Sequence, residues 1–119
     1  ANSASAIRLF VSVCNAWQLS VKERLALAGG VSKPTYDNWR RGSGGALSRD
    51  QFERISLVLG IHKAIRLIFL KEEDADRWLK AENSDDPFGE QSPLTFVVSG
   101  GIPQLYALRS YLDAWRGAK

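Results

Sequence analysis

The sequence predicts an all-α protein. Apolar residues recur at helical spacing in successive segments, beginning with Ile7, Phe10, Val11, Cys14 and Trp17. Between the segments stand helix signals: serines followed three residues on by Glu or Gln, serines followed by proline, and glycine pairs. No segment sustains period-two alternation, and Phe96-Val97-Val98, the one strand-like run, has no obvious partner strand.

The elements follow in order. Residues 1–5 are small and polar and read as frayed, so the first helix is expected from Ile7 to about Trp17. Ser20 opens the second: its hydroxyl can accept from the Glu23 N–H while Glu23 reaches back, a capping box. Leu25, Leu27 and Ala28 form its buried side, and Gly29-Gly30 stop it, because glycine takes the left-handed conformation a helix end requires. Ser32 caps the third helix, Pro34 sits where a missing N–H does no harm, and Val31 faces Tyr36 across the cap. This helix runs to Arg41 and stops at Gly42, with Ser43-Gly44-Gly45 as a flexible turn. Ser48 and Gln51 start a fourth helix that is expected to end at Gly60, with a separate apolar helix over 61–70. An acidic helix carrying Trp78 and Leu79 stops near Asn83, Ser92-Pro93 starts a short one, and Pro103 starts the last.

At 119 residues the chain suits one compact domain or two very small ones sharing a core. The predicted division is 1–70 and 71–119. Charge supports two roles: residues 1–71 hold eleven Lys/Arg against four Asp/Glu, and residues 72–119 hold five against nine. A basic half facing a polyanion and an acidic half with another task would account for this, although a solvated charged face gives the same count. No apolar run approaches the roughly 20 residues of a membrane span. The single cysteine, Cys14, excludes an internal disulfide and falls on an apolar helix face, which predicts a buried inert thiol and a reducing cytoplasm. No methionine occurs even at position 1, which predicts a processed or trimmed start.

Residues 20–41 read helix, glycine turn, helix, the arrangement that lets a second helix enter the DNA major groove by its amino-terminal end. With Val31, Tyr36 and Trp39 inward, Lys33 and Asn38 have suitable chemistry for base edges, and Ser32, Arg40 and Arg41 for phosphates, with Thr35 on the same exposed side. An ordinary helical hairpin with a charged outer face fits the turn alone. The run G-V-S-x-x-T-Y-x-x-W-x-x-G over residues 30–42 resembles the five-helix DNA-binding fold of Xre-type phage-repressor regulators. Asp37 departs from the pattern by placing a negative charge beside the presumed groove, so binding per site is expected to be weak and to need dimerisation.

The last helix carries Leu105, Tyr106, Leu108, Leu112 and Trp115 on more than one face. Both faces can be core; otherwise a second copy or a partner protein covers one. The runs W-L-K-A-E-N, F-G-E-Q-S-P-L and S-G-G-I-P-Q-L-Y-A-L-R-S-Y-L-D-A-W-R-G resemble the toxin-binding domain of the Xre/MbcA/ParS antitoxin family. Trp78, Leu79, Asn83, Phe88, Gly89, Pro93, Leu94, Gly100, Leu112 and Trp115 fit that pattern, and Ile102-Pro103 departs from it. With the helix-turn-helix, the match covers about Leu19 to Gly117.

The resemblance implies an antitoxin whose partner is a RES-domain toxin acting on NAD. The carboxyl-terminal domain would cover the toxin's active-site mouth, and the helix-turn-helix would bind the operator of the shared operon, as a homodimer within a larger complex. Phe88, Leu94, Ile102, Tyr106 and Trp115 are the expected apolar anchors; Arg109, Arg116 and Lys119 sit on or just beyond the last helix, with Arg116 or Lys119 expected to reach acidic groups of the toxin. The alternative is a free-standing dimeric Xre-type transcription regulator without a toxin.

An enzyme is the least supported reading, and no cofactor is implied. His62 is the sole histidine, expected exposed or capping near a helix start, so neither a catalytic set nor a metal cluster forms around it. The run Glu72-Glu73-Asp74-Asp76 lacks the spacing and glycine of a calcium loop and suits a solvated helix start. Gly42-Ser43-Gly44-Gly45 does not lie between a strand and a helix, so it is no phosphate cradle.

Overall fold

A computed structural model describes residues 3–117. They form seven α-helices: α1 (Ser3–Ala16), α2 (Val21–Leu27), α3 (Lys33–Arg40), α4 (Arg49–Ile68), α5 (Glu72–Lys80), α6 (Pro93–Val98) and α7 (Ile102–Trp115). No strand occurs among the described residues, and Phe96-Val97-Val98 lies in α6. The chain divides into two compact units, Ala1–Leu59 and Gly60–Lys119.

In the first unit the predicted caps form. The Glu23 N–H donates to Ser20 Oγ at 3.1 Å, and the Ser20 N–H donates to Glu23 Oε1 at 2.8 Å. Gly29 and Gly30 follow at φ 96° and 87°, conformations that require glycine. Ser48 and Gln51 exchange the same pair of bonds ahead of α4, at 2.9 and 3.1 Å. α1 begins at Ser3, ahead of the expected Ile7, so residues 3–5 are helical rather than frayed. Ile7, Phe10, Cys14, Leu27, Tyr36, Trp39, Ile55 and Val58 make the core, with Phe10 edge-on to Trp39. The 43–45 turn is shaped by this core, since a Cβ at Gly44 would stand 2.7 Å from the Trp39 ring.

A second helix boundary differs from the expectation. Gly60 does not end a helix; α4 runs unbroken for 20 residues through it. A mid-helix glycine costs about 1 kcal/mol against alanine, and here it leaves room for a neighbour, because a Cβ at Gly60 would run into the Arg109 guanidinium. His62 therefore lies inside α4 rather than near a helix start, half-buried, and burial together with the Arg66 charge holds its pKa below the usual range.

In the second unit α6 packs on both α5 and α7. Ile61, Ile65, Leu79, Leu94, Val97, Leu105, Leu108 and Leu112 fill its core. The loop over 83–91 is tied to itself: the Asn83 N–H donates to the Gln91 carbonyl, the Glu90 N–H to the Asn83 carbonyl, and the Asp85 N–H to Asn83 Oδ1. Phe88 at its tip is thereby held in the core, where it is 1% exposed.

Candidate functional site

The helix-turn-helix of the first unit is fixed from beneath by Arg24. Its Nε donates to the Leu19 carbonyl at 3.0 Å, and its Nη1 donates to Asn15 Oδ1 at 2.8 Å and to the Tyr36 hydroxyl at 3.0 Å. One guanidinium thus joins the end of α1, the start of α2 and the inner face of α3. Sequence patterning did not single it out, because an arginine in a short helix reads as surface charge.

α3 shows its outer face. Ser32 caps it by accepting from the Thr35 N–H at 3.2 Å, and donates through its own hydroxyl to Thr35 Oγ1 at 3.0 Å. Ser32, Lys33, Asn38, Arg40 and Arg41 are exposed and Thr35 is half-buried, so all six sequence-selected residues lie on or beside one helix. They are not all free. Lys33 Nζ bonds Asp37 Oδ2 at 3.0 Å, and this hydrogen bond holds the Asp37 carboxyl below the usual carboxylate range. Arg41 donates to Asn38 Oδ1. Arg40, Arg41 and Arg8 of α1 meet at a cleft of about 360 Å³ whose floor includes Trp39 and Asn15. Its arrangement suits an anion, three cations over an aromatic floor.

In the second unit six aromatic rings form one cluster. Trp78 stands between Trp115 (5.4 Å between centroids) and Tyr111 (6.0 Å), and Phe69 lies edge-on to Trp115 at 5.6 Å. Phe88 touches Tyr111 at 4.9 Å and Phe96 at 5.5 Å. The Tyr111 hydroxyl donates to Asp85 Oδ2 at 2.6 Å, tying the 83–91 loop to α7, and that bond is the main cause of the raised tyrosine pKa.

The sequence-selected residues of this unit fall into separate environments. Phe88 and Leu94 are buried within it, and Ile102 and Arg109 are half-buried. Tyr106, Trp115 and Arg116 are exposed, and Lys119 lies outside the described residues. Ile102, Tyr106 and Arg109 share one face of α7 by their spacing of four and three. Trp115, nine residues or about two and a half turns beyond Tyr106, stands on the opposite face. Sequence reasoning did not select Phe69, Tyr111, Leu67 or Leu70 for this site; the extra aromatics were the available signal.

Two family models match this geometry. The antitoxin Xre-like helix-turn-helix domain matches residues 1–60, and the antitoxin Xre/MbcA/ParS C-terminal toxin-binding domain matches residues 65–118. The chain belongs to the Xre/MbcA/ParS antitoxin family. A similar protein is the uncharacterized protein y4oB of Sinorhizobium fredii (strain NBRC 101917 / NGR234), 36% identical over 111 residues that span 93% of this chain and 84% of that one. Both matched domains of the antitoxin are non-enzymatic regulatory modules, one for binding DNA and one for binding a toxin. Among the described residues no helix is long and apolar enough to cross a membrane, and no group of three or more His, Cys, Asp and Glu is placed to hold a metal ion.

Proposed function

We propose that this antitoxin neutralises a RES-domain toxin that consumes NAD, by covering the entrance to its active site in the cytoplasm, and represses its own operon by binding the operator. One observation carries the reading: a helix-turn-helix domain and a toxin-binding domain occur on one short chain. The RES identity of the partner rests on the resemblance of the 78–117 runs to antitoxins of that kind. Operator contact is assigned to Ser32, Lys33, Thr35, Asn38, Arg40 and Arg41, which line the outer side of α3. Toxin contact is assigned to the second unit, with the exposed Tyr106, Trp115 and Arg116 as its accessible members. Lys33 and Asp37 neutralise one another, so a single copy brings one cation fewer to the groove. A homodimer, reading two half-sites, makes up the difference.

The test is co-expression with the protein encoded by the adjacent reading frame, followed by measurement of NAD consumption by that protein alone and in the complex. A stable complex with suppressed NAD loss is expected. Two proteins that do not associate would leave a DNA-binding regulator and remove the inhibitor role.

A further inference from the structure

Asp37 points outward from α3 as squarely as Asn38 does. At about 100° per residue, the two stand about 130° from the midpoint of Tyr36 and Trp39, one to either side. Tyr36 and Trp39 are 1% and 4% exposed, which fixes the inward direction. Lys33, one turn before Asp37, is at the amino-terminal end of the helix, the end that enters the major groove. Its Nζ stands 3.0 Å from Asp37 Oδ2, with the two side chains 62% and 26% exposed.

A carboxylate alone would be repelled from the groove by the phosphates on either side. Paired with Lys33 it brings no net charge, and the bond from the ammonium keeps it ionised, so Asp37 presents acceptors only. The ammonium has three N–H groups and uses one on Asp37, which leaves two. The pair therefore shows DNA a donor and an acceptor side by side. A G·C pair has the complementary edge: guanine N7 and O6 are acceptors, and the cytosine N4 amino group beside them is a donor. O6 and N4 are hydrogen-bonded to one another at about 2.9 Å, which matches the 3.0 Å between Nζ and Oδ2.

We infer that Lys33 and Asp37 together read one G·C pair of the operator, Nζ donating to guanine O6 and N7 while the Asp37 carboxylate accepts from cytosine N4. The inference rests on the DNA-binding reading above and adds to it a base pair and the residue that selects it. An A·T pair also sets a donor beside an acceptor, but its flanking groups oppose the match. Adenine N7, an acceptor, would face the carboxylate, and the thymine methyl would face the ammonium. The competing account is an ion pair that only ties the helix, and the two differ in what removing Asp37 does to base preference.

The probe is the duplex that the full-length parent selects from a random-sequence pool. It should contain a G·C pair whose change to A·T weakens the parent by about tenfold or more, as expected of a base contact. Asp37→Ala should bind unrelated DNA more tightly, because Lys33 is freed, yet bind the G·C and A·T duplexes with near-equal affinity. Lys33→Ala should lose the same preference, at that pair and no other. Replacing the guanine by 7-deazaguanine, which lacks only the N7 acceptor, should weaken the parent and leave Lys33→Ala unaffected. Asp37→Asn keeps an acceptor oxygen in place while freeing Lys33, so it is the variant in which operator and unrelated DNA both gain. Each substitution removes one surface ion pair, and melting temperatures are expected to stay at the parent's. A selected site without such a pair, or an Asp37→Ala chain that keeps every base preference of the parent, overturns the inference and leaves the DNA-binding role standing. A parent that selects no duplex overturns the DNA-binding reading, and the inference with it.

Discussion

The guanidinium of Arg109 occupies the place where any residue other than glycine at position 60 would carry its Cβ. The same side chain donates from Nε to both carboxylate oxygens of Asp113 at 3.2 Å, which holds it across α4. A methyl group at 60 therefore has opposite effects: it favours the helix by about 0.5–1 kcal/mol and displaces Arg109. Gly60→Ala is expected to be near neutral in the parent chain and stabilising by most of that amount in an Arg109→Ala background. Urea unfolding of the four members of the cycle measures the coupling. Equal effects in the two backgrounds would show that Arg109 does not constrain position 60.

Arg24 gives a second expectation. Its bonds to Leu19, Asn15 and Tyr36 are part-buried or exposed, and hydrogen bonds from a charged donor contribute roughly 1.5–3 kcal/mol when buried. Arg24→Ala should cost about 2 kcal/mol, and Arg24→Lys should recover little, because one ammonium does not reproduce a planar fork spanning three partners. Chemical denaturation would decide it; a lysine variant as stable as the parent counts against the network.

How much of this was legible in the sequence follows from which interactions are local. Ser20 with Glu23, Ser32 with Thr35 and Ser48 with Gln51 bind within three residues, so their spacing alone announces the caps. Gly60 reads as a helix stop because its real reason, the Arg109 side chain, lies 49 positions away in the chain. Arg24 reads as surface charge for the same cause, since its partners come from α1 and α3. In the second unit apolar character was visible at Phe88, Leu94 and Trp115, but burial was not. Phe88 goes inward because the 83–91 loop bonds to itself around Asn83, whereas Leu67, at the end of α4, and Leu70, just beyond it, stay exposed although the sequence reads 61–70 as an apolar helix.

Cys14 predicts an alkaline limb to the stability curve. Burial pushes its thiol from 9.0 up to about 12, only partly countered by the Arg24 charge and the Tyr36 hydrogen bond. Between those values the unfolded chain has released the proton and the folded chain has kept it, so the folded state binds more protons. Stability is accordingly fully present below about pH 9 and falls as pH rises through 12. Tyr36, raised chiefly by burial, adds to the same limb. Cys14→Ala should flatten it in thermal melts taken across this range. In the native parent at neutral pH the thiol should be silent to Ellman's reagent and react once urea is added.

α3 predicts a division of labour in DNA binding. Arg40→Ala should weaken operator and unrelated DNA alike and lower the salt slope by about one, the signature of a phosphate contact. Asn38→Ala should instead narrow the gap between operator and unrelated DNA, at a cost of about 1–3 kcal/mol for the operator alone. Asp37→Asn releases Lys33 from its ion pair and is expected to tighten both. Fluorescence anisotropy at several salt concentrations separates these patterns. Uniform loss on Asn38→Ala would assign that residue to holding Arg41.

Phe88 and Trp115 should separate folding from binding. Phe88 is 1% exposed and meets Trp78, Phe96 and Tyr111, so Phe88→Ala should cost about 3–5 kcal/mol. Any loss of toxin inhibition in that variant would track the loss of the folded unit, and lowering the temperature should restore part of it. Trp115 is 45% exposed while touching Phe69 and Trp78, so Trp115→Ala should cost less stability and more affinity. Calorimetric melting and toxin titration on the same two samples test the contrast. A Phe88→Ala chain that melts like the parent yet fails to bind would move Phe88 from the core to the contact surface. The closed loop around it would then have to open when the partner arrives, at the cost of the bonds Asn83 makes to Asp85, Glu90 and Gln91.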